Sequence, residues 1–124
     1  MIFIDSNIIA YAFYQNKFQD HCQKLILQGG ITDAVVLIEA FNIIEYQTTK
    51  ETATNAIRSI LKSNITIQEI DVNSIFNSMK ITDTQLKFID LIHYNCAREN
   101  NCSAIASYDK DFDNLLLPRI EKVE

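Results

Sequence analysis

Apolar residues recur along this chain in two alternating patterns, short continuous runs and longer stretches with a helical period. The runs Ile2-Phe3-Ile4, Ile65-Thr-Ile-Gln-Glu-Ile70 and Ser103-Ala-Ile-Ala-Ser107 are typical of strands, because they are short, rich in β-branched or small apolar residues, and bounded by polar ones. A last edge strand is predicted near Arg119 to Val123. Strands separated by helices imply a parallel sheet with right-handed crossovers, so the predicted fold class is α/β.

Helical periodicity fills the segments between these strands. The clearest helix carries Phe18, Cys22, Leu25 and Ile26 on one face and stops at Gly29-Gly30, and no strand is assigned between Gly30 and Ala34. Two further helices are predicted at Asn7 to Tyr14 and at Ala34 to Gln47, and a fourth begins with the capping box Thr48-Thr-Lys-Glu51 and runs to Asn64. In the second half of the chain, a short helix is predicted from Asp71 or Asn73 through Met79, and a longer one from Thr82 or Asp83 to about Glu99. A brief helix follows a turn at Tyr108 to Asp111.

Length and composition suit one small domain. With 124 residues, 48% of them hydrophobic, and no linker or low-complexity tract, the chain is expected to form a single domain over residues 1–124. Its first residues, Met1-Ile-Phe-Ile-Asp5, lack the basic start of a signal peptide, and no apolar stretch approaches the ~18 residues of a membrane helix. Three cysteines without CxxC spacing argue against a disulfide framework. A soluble, cytoplasmic protein is expected.

Four carboxylates stand where a parallel sheet would gather them. Asp5 directly follows the first strand and Asp109 follows the strand around Ile105, which places both at the carboxyl edge of the sheet, where open α/β sheets bind ligands. Glu39 and Asp90 lie in apolar helices, where a carboxylate without a partner is costly to bury. Repulsion among such groups is relieved by a hard cation, so the set predicts a Mg²⁺ or Mn²⁺ site.

Other interpretations of these residues remain open. Asp5 could simply cap the helix that begins near Asn7, and Asp111 or Asp113 could replace Asp109 as the last ligand. Asp83, seven residues before Asp90, would share its helical face. Asp20, Asp33, Asp71 and Glu45 are interpreted as caps or solvated charges. His21 and His93 are interpreted as structural, with the alternative that His93, three residues after Asp90, lies near the site. A zinc site formed by His93, Cys96 and Cys102 with Cys22 fits no standard spacing.

The residues together resemble a family, the PIN domains, close to the VapC-type toxins. The resemblance rests on Ile2-Phe-Ile-Asp5-Ser-Asn7, Glu39 in a Leu-Ile-Glu-Ala helix, Phe88-Ile-Asp90-Leu-Ile, and Ile105-Ala-Ser107-Tyr-Asp109-Lys-Asp-Phe112. It implies a three-layer α/β/α fold and a metal-dependent ribonuclease, often dimeric and often the toxin of a toxin–antitoxin pair. It assigns metal-site roles to Asp5, Glu39, Asp90 and Asp109, and matches Asn7 and Ser107 to polar positions that organise them.

The net charge bears on the expected RNA substrate. The formal net charge is −5, but setting aside four metal-bound carboxylates leaves −1, so local basic patches remain possible. Basic residues that could line an RNA groove are Lys17, Lys50, Arg58, Lys62, Lys87 and Lys110. Two rival functions are a PIN fold that serves as a binding or scaffold module without nuclease activity, and a phosphate-accepting receiver domain. A receiver domain needs an acidic pair after its first strand, which Asp5 lacks.

Overall fold

The first strand, β1, runs through the middle of the sheet, and two of its three residues are fully buried. In the computed structural model, which describes residues 1–122, Phe3 and Ile4 of this strand have no exposed surface. The sheet is wholly parallel, with strand order β3-β2-β1-β4-β5. Its strands are β1 (Ile2–Ile4), β2 (Gly30–Asp33), β3 (Ile65–Gln68), β4 (Ala104–Ala106) and β5 (Arg119–Ile120).

Helices flank the sheet in a three-layer α/β/α arrangement, as expected. They are α1 (Ser6–Tyr11), α2 (Gln19–Gln28), α3 (Ala34–Gln47), α4 (Lys50–Leu61), α5 (Val72–Met79) and α6 (Phe88–Glu99), with a 3₁₀ helix at Lys110–Phe112. Within residues 1–122, none of these helices has the length and apolar composition needed to cross a bilayer. The observed strand order also differs from the 2-1-3-4-5 order of receiver domains, so that rival interpretation is wrong.

The hydrophobic pattern of the sequence does not predict strand β2. It is only Gly30-Ile-Thr-Asp33, and its first residue belongs to a Gly-Gly pair that is typical of a helix stop. Gly30 is required for packing: its φ is +151°, and a Cβ there would lie 2.5 Å from the carbonyl oxygen of Ile2. The glycine therefore both ends the preceding segment and lets β2 approach β1 closely.

Most predicted helices are confirmed, with three corrected boundaries at their starts and ends. Helix α1 ends at Tyr11 rather than Tyr14. Thr49, not Thr48, caps α4 by accepting a hydrogen bond from the Thr52 amide, and this helix ends at Leu61 rather than Asn64. The hydroxyl of Thr48 donates instead to the carbonyl of Ile44 in the preceding helix. Asp71 is confirmed as the cap of α5.

Helix α6 begins at Phe88, so the predicted start at Thr82 or Asp83 is wrong. Polar side chains in this segment bond locally, as where Thr84 Oγ accepts from the Leu86 amide at 3.3 Å, and such bonds compete with helix formation. Strands β3 and β4 are shorter than predicted by one or two residues at their ends, and the far end of the predicted last strand, Val123, lies outside the described residues.

Candidate metal centre

Asp5 and Ser107 face each other because β1 and β4 are adjacent and parallel. The pairing of Ile4 with Ala106 places the next residue of each strand side by side at the carboxyl edge of the sheet. The Ser107 hydroxyl donates to Asp5 Oδ2 at 2.6 Å, and the Ser6 amide donates to Asp5 Oδ1 at 2.8 Å. Asp5 does cap α1, but it is 4% exposed and bonds across the sheet as well, so capping alone does not describe it.

Asn7 joins the ends of these two strands into one network. Its side-chain amide lies 3.3 Å from Ser107 Oγ, and its Oδ1 accepts a hydrogen bond from the Tyr108 backbone amide at 3.1 Å. The Asp109 amide donates to Ser107 Oγ at 2.9 Å. The backbone from Ser107 to Asp109 is therefore held in place beside Asp5, as the polar positions of the resemblance implied.

Glu39 is held by the buried His93, which the sequence predicts to be structural, with a place near the site as the alternative. His93 Nε2 lies 2.6 Å from Glu39 Oε1, and His93 Nδ1 lies 2.6 Å from Asp33 Oδ2. Asp33 ends β2 and caps α3 through its other oxygen, which accepts from the Val36 amide at 2.8 Å. The expectation that Asp33 is a cap is confirmed, but the alternative that it is solvated is wrong, because it has no exposed surface.

His93 carries a positive charge at neutral pH. A neutral imidazole has one N–H, whereas the protonated ring donates from both nitrogens and so satisfies both short contacts to carboxylates. Burial by itself lowers the pKa of His93, but the hydrogen bonds to Asp33 and Glu39 outweigh it and raise the pKa from 6.5 to about 10. Both nitrogens are occupied by carboxylates, so His93 positions Glu39 and is not itself arranged as a metal ligand.

Asp90 and Asp109 meet across the opening of the site. Asp90 lies in the first turn of α6, and Asp109 precedes the 3₁₀ helix and accepts from the Asp111 amide at 2.9 Å. One carboxylate oxygen from each of Asp90, Asp109 and Asp111 lies within 4.8 Å of the others. Asp113, by contrast, accepts from Arg119 Nε at 2.7 Å, which engages it outside this group.

The four candidate carboxylates thus form two adjoining groups. Ligand atoms of Asp5, Glu39 and His93 lie within 4.8 Å of one another, while Asp90 and Asp109 belong to the second group. Glu39 and Asp90 are half-buried rather than enclosed, so both retain access to solvent. Asp83, which was weighed as a fifth candidate, is exposed in a bend before α6 and does not share a helical face with Asp90.

The electrostatics of the site favour a bound cation. Burial, followed by the negative charge of Asp5, raises the pKa of Asp90 from 3.8 to about 6, and the charges of Asp109 and Glu39 add to this effect. Burial also raises the pKa of Asp5, against the hydrogen bond from Ser107, which lowers it. Carboxylate oxygens are the ligands of Mg²⁺ and Mn²⁺, so this donor set fits a divalent metal ion.

Comparison with known proteins identifies a family and a similar fold. The family model of the PIN domain matches residues 2–115. The crystal structure of VapC20 from Mycobacterium tuberculosis, a Sarcin-Ricin loop cleaving toxin, superposes with a TM-score of 0.76 and 14% sequence identity, covering 90% of this chain and 92% of that one. At that identity the likeness concerns the fold. No curated protein matches the sequence.

Proposed function

The chain belongs to the PIN domain family, and from this premise we propose that it is a divalent-metal-dependent ribonuclease that hydrolyses RNA phosphodiester bonds. The observation that supports the proposal is a pair of acidic groups, Asp5 with Glu39 and Asp90 with Asp109. Burial, followed by the negative charges of Asp5, Asp109 and Glu39, raises the pKa of Asp90 to about 6. A carboxylate set of this kind is expensive without a cation.

Each residue of the site has a role that its contacts support. Asp5, Glu39, Asp90 and Asp109 would hold one or two Mg²⁺ or Mn²⁺ ions, with Asp111 as a further oxygen donor close to Asp109. A metal bound there supplies a water of lowered pKa and neutralises charge on the phosphoryl oxygens. Ser107 fixes one Asp5 oxygen by donating to it, and His93 holds Glu39 through its Nε2.

The proposed biological role is that of a toxin restrained by a protein antitoxin. Support comes from the fold shared with VapC20, which is a Sarcin-Ricin loop cleaving toxin. We also propose a single domain over residues 1–124, a cytoplasmic location and a homodimer, as the family resemblance implies. The buried free thiols of Cys22, Cys96 and Cys102 suit a reducing compartment.

Metal-dependent cleavage is the test of this function. Purified protein should cleave RNA with Mg²⁺ or Mn²⁺ and lose that activity in EDTA, and Asp5→Asn or Asp90→Asn should reduce cleavage at least ~100-fold. Asp20→Asn, at an exposed carboxylate in the first turn of α2, is the matched control and should cleave like wild type. The proposal is contradicted if folded Asp5→Asn and Asp90→Asn variants retain full activity. It is also contradicted if wild type binds RNA without cleaving it, and the protein would then be a binding module.

A further inference from the structure

A cleft of about 370 Å³ lies beside Tyr108, the residue between Ser107 and Asp109. Its lining combines two aromatic rings with several ionisable side chains, and consists of Lys17, Phe18, His21, Tyr108, Glu121 and Lys122. These residues come from the segment that leads into α2, from α2 itself, and from the chain that follows β4 and β5. The cleft is therefore built at the same edge of the sheet as the carboxylates, but from different residues.

The aromatic wall of the cleft is fixed by packing. The ring centroids of Phe18 and Tyr108 are 4.2 Å apart with an interplanar angle of 34°. Tyr11 stacks against both of these rings, at 5.6 Å from Phe18 and 5.8 Å from Tyr108. All three side chains are half-buried. The cleft thus presents aromatic surface that is already ordered, so a flat ligand would stack on it at little cost in side-chain entropy.

Two lysines, Lys17 and Lys122, flank this aromatic wall, in a chain whose net charge is −5. Lys17 Nζ lies 5.0 Å from the centroid of the Phe18 ring, and Lys17, His21 and Lys122 are exposed to solvent. The single acid of the lining, Glu121, accepts from Arg119 Nη1 at 2.6 Å. Arg119 also donates to Asp113, so it offsets the charge of Glu121 only in part. Aromatic rings flanked by lysines are the combination that holds a base by stacking and its phosphate by charge.

The cleft is tied directly to the metal centre. Tyr108 and Asp109 are consecutive, so their Cα atoms are separated by one trans peptide of about 3.8 Å. The Tyr108 amide donates to Asn7, and the Asp109 amide donates to Ser107, which in turn bonds Asp5. This connection brings the cleft within reach of an RNA strand whose phosphate lies at the carboxylates.

We propose that the Phe18–Tyr108 cleft is a nucleotide-binding subsite that takes one unpaired nucleotide of an RNA substrate, with its base against the rings and its phosphate beside Lys17 and Lys122. This inference rests on the proposed ribonuclease function. Because a base within a duplex is already stacked on its neighbours, the subsite selects single-stranded RNA or the unpaired nucleotides of a loop. It deepens the proposed function by naming the part of the substrate that sets the register of cleavage.

The test is RNA binding without cleavage, measured by fluorescence anisotropy with a labelled single-stranded RNA decamer in EDTA at low salt. Phe18→Leu and Tyr108→Leu should each weaken binding about 10-fold, whereas Tyr108→Phe, which keeps the ring, should bind like wild type. The matched control is Phe76→Leu, because Phe76 on α5 also has a lysine over its ring, with Lys80 Nζ at 5.5 Å from the centroid. A blunt RNA duplex should compete poorly.

A second variant gives a readout that does not depend on the packing of the rings. Lys17→Gln should lower the slope of log Kd against log salt concentration by about 0.7, the value for one phosphate contact in single-stranded nucleic acid, while Lys80→Gln should leave it unchanged. Both lysines are exposed, so neither substitution threatens the fold.

The outcomes separate the subsite from the nuclease. If wild type binds RNA and the Phe18, Tyr108 and Lys17 variants match their α5 controls, the subsite is refuted while the ribonuclease proposal stands. If the cleft variants lose binding but wild type fails to cleave RNA with Mg²⁺ or Mn²⁺, the subsite is supported and the nuclease proposal fails. Wild type that does not bind the decamer at all overturns the subsite.

Discussion

Removing the charge of His93 should destabilise the protein in a way that depends on pH. His93 has no exposed surface and contacts Asp33 and Glu39 at 2.6 Å each. The substitution His93→Gln keeps a side chain of similar length but leaves Asp33, which is equally buried, without its cation. Breaking a buried ion pair by removing one partner typically costs about 3 to 5 kcal/mol.

The pH dependence follows from the raised pKa of His93. Its pKa rises from 6.5 in the open chain to about 10 in the fold, so protonation stabilises the folded state. That contribution is fully present below pH 6.5 and is lost as the pH rises through about 10. It amounts to about 4 kcal/mol at pH 7 and falls to roughly a third of that at pH 9.

Thermal unfolding followed by circular dichroism measures this difference. For 124 residues the unfolding entropy is about 0.26 kcal/mol/K, so the Tm gap between wild type and His93→Gln should shrink by about 10 °C between pH 7 and pH 9. His21→Gln, at an exposed histidine, is the matched control and should show no gap at either pH. A His93→Gln gap that is equal at both pH values would refute the charged form of His93.

Two further predictions concern the carboxylates. Without metal, Asp90→Asn should have a Tm at or above that of wild type at pH 7.5, and its free energy of unfolding should be higher by roughly 1 kcal/mol after solvent screening. The reason is that the pKa of Asp90 is raised to about 6. Protonated Asp90 therefore stabilises the fold below pH 3.8, and that contribution is lost as the pH rises through 6. The difference in stability between the variant and wild type should vanish near pH 4. Millimolar Mn²⁺ should raise the Tm of wild type but hardly that of the variant. A variant that is clearly destabilised, together with a wild type whose Tm does not respond to Mn²⁺, would show that Asp90 is structural. Asp109→Asn should weaken Mn²⁺ binding in calorimetry at least 10-fold and Asp111→Asn less, since Asp109 is half-buried and Asp111 exposed; the reverse order would identify Asp111 as the ligand.

Local patterns in the sequence were sufficient for most of the elements and for part of the site. The helical period of α2 and the apolar run Ile2–Ile4 depend on residues close in sequence, so they were visible without the fold. Asp5 and Asp109 could be predicted to lie at one edge of the sheet, because a parallel sheet brings the carboxyl ends of its strands together there. The resemblance to the PIN domains added the fold and the expected chemistry.

Tertiary structure decided the features that join distant segments. Strand β2 was missed because Gly30-Ile-Thr-Asp33 is too short and too glycine-rich to show a strand pattern, and it becomes a strand only between β1 and β3. Without β2, the sequence offered no reason to place Asp33 in the interior. Its burial follows from its position at the end of a strand that has neighbours on both sides.

The role of His93 shows most clearly that local sequence patterns do not predict contacts between distant residues. It lies 60 residues from Asp33 and 54 from Glu39 along the chain, and no local period connects them. The ordinary pKa of histidine also gave no reason to expect a permanent cation. Only the approach of α6 to the end of β2 and to α3 creates that charge, because the buried Asp33 and the half-buried Glu39 beside one imidazole favour its protonated form.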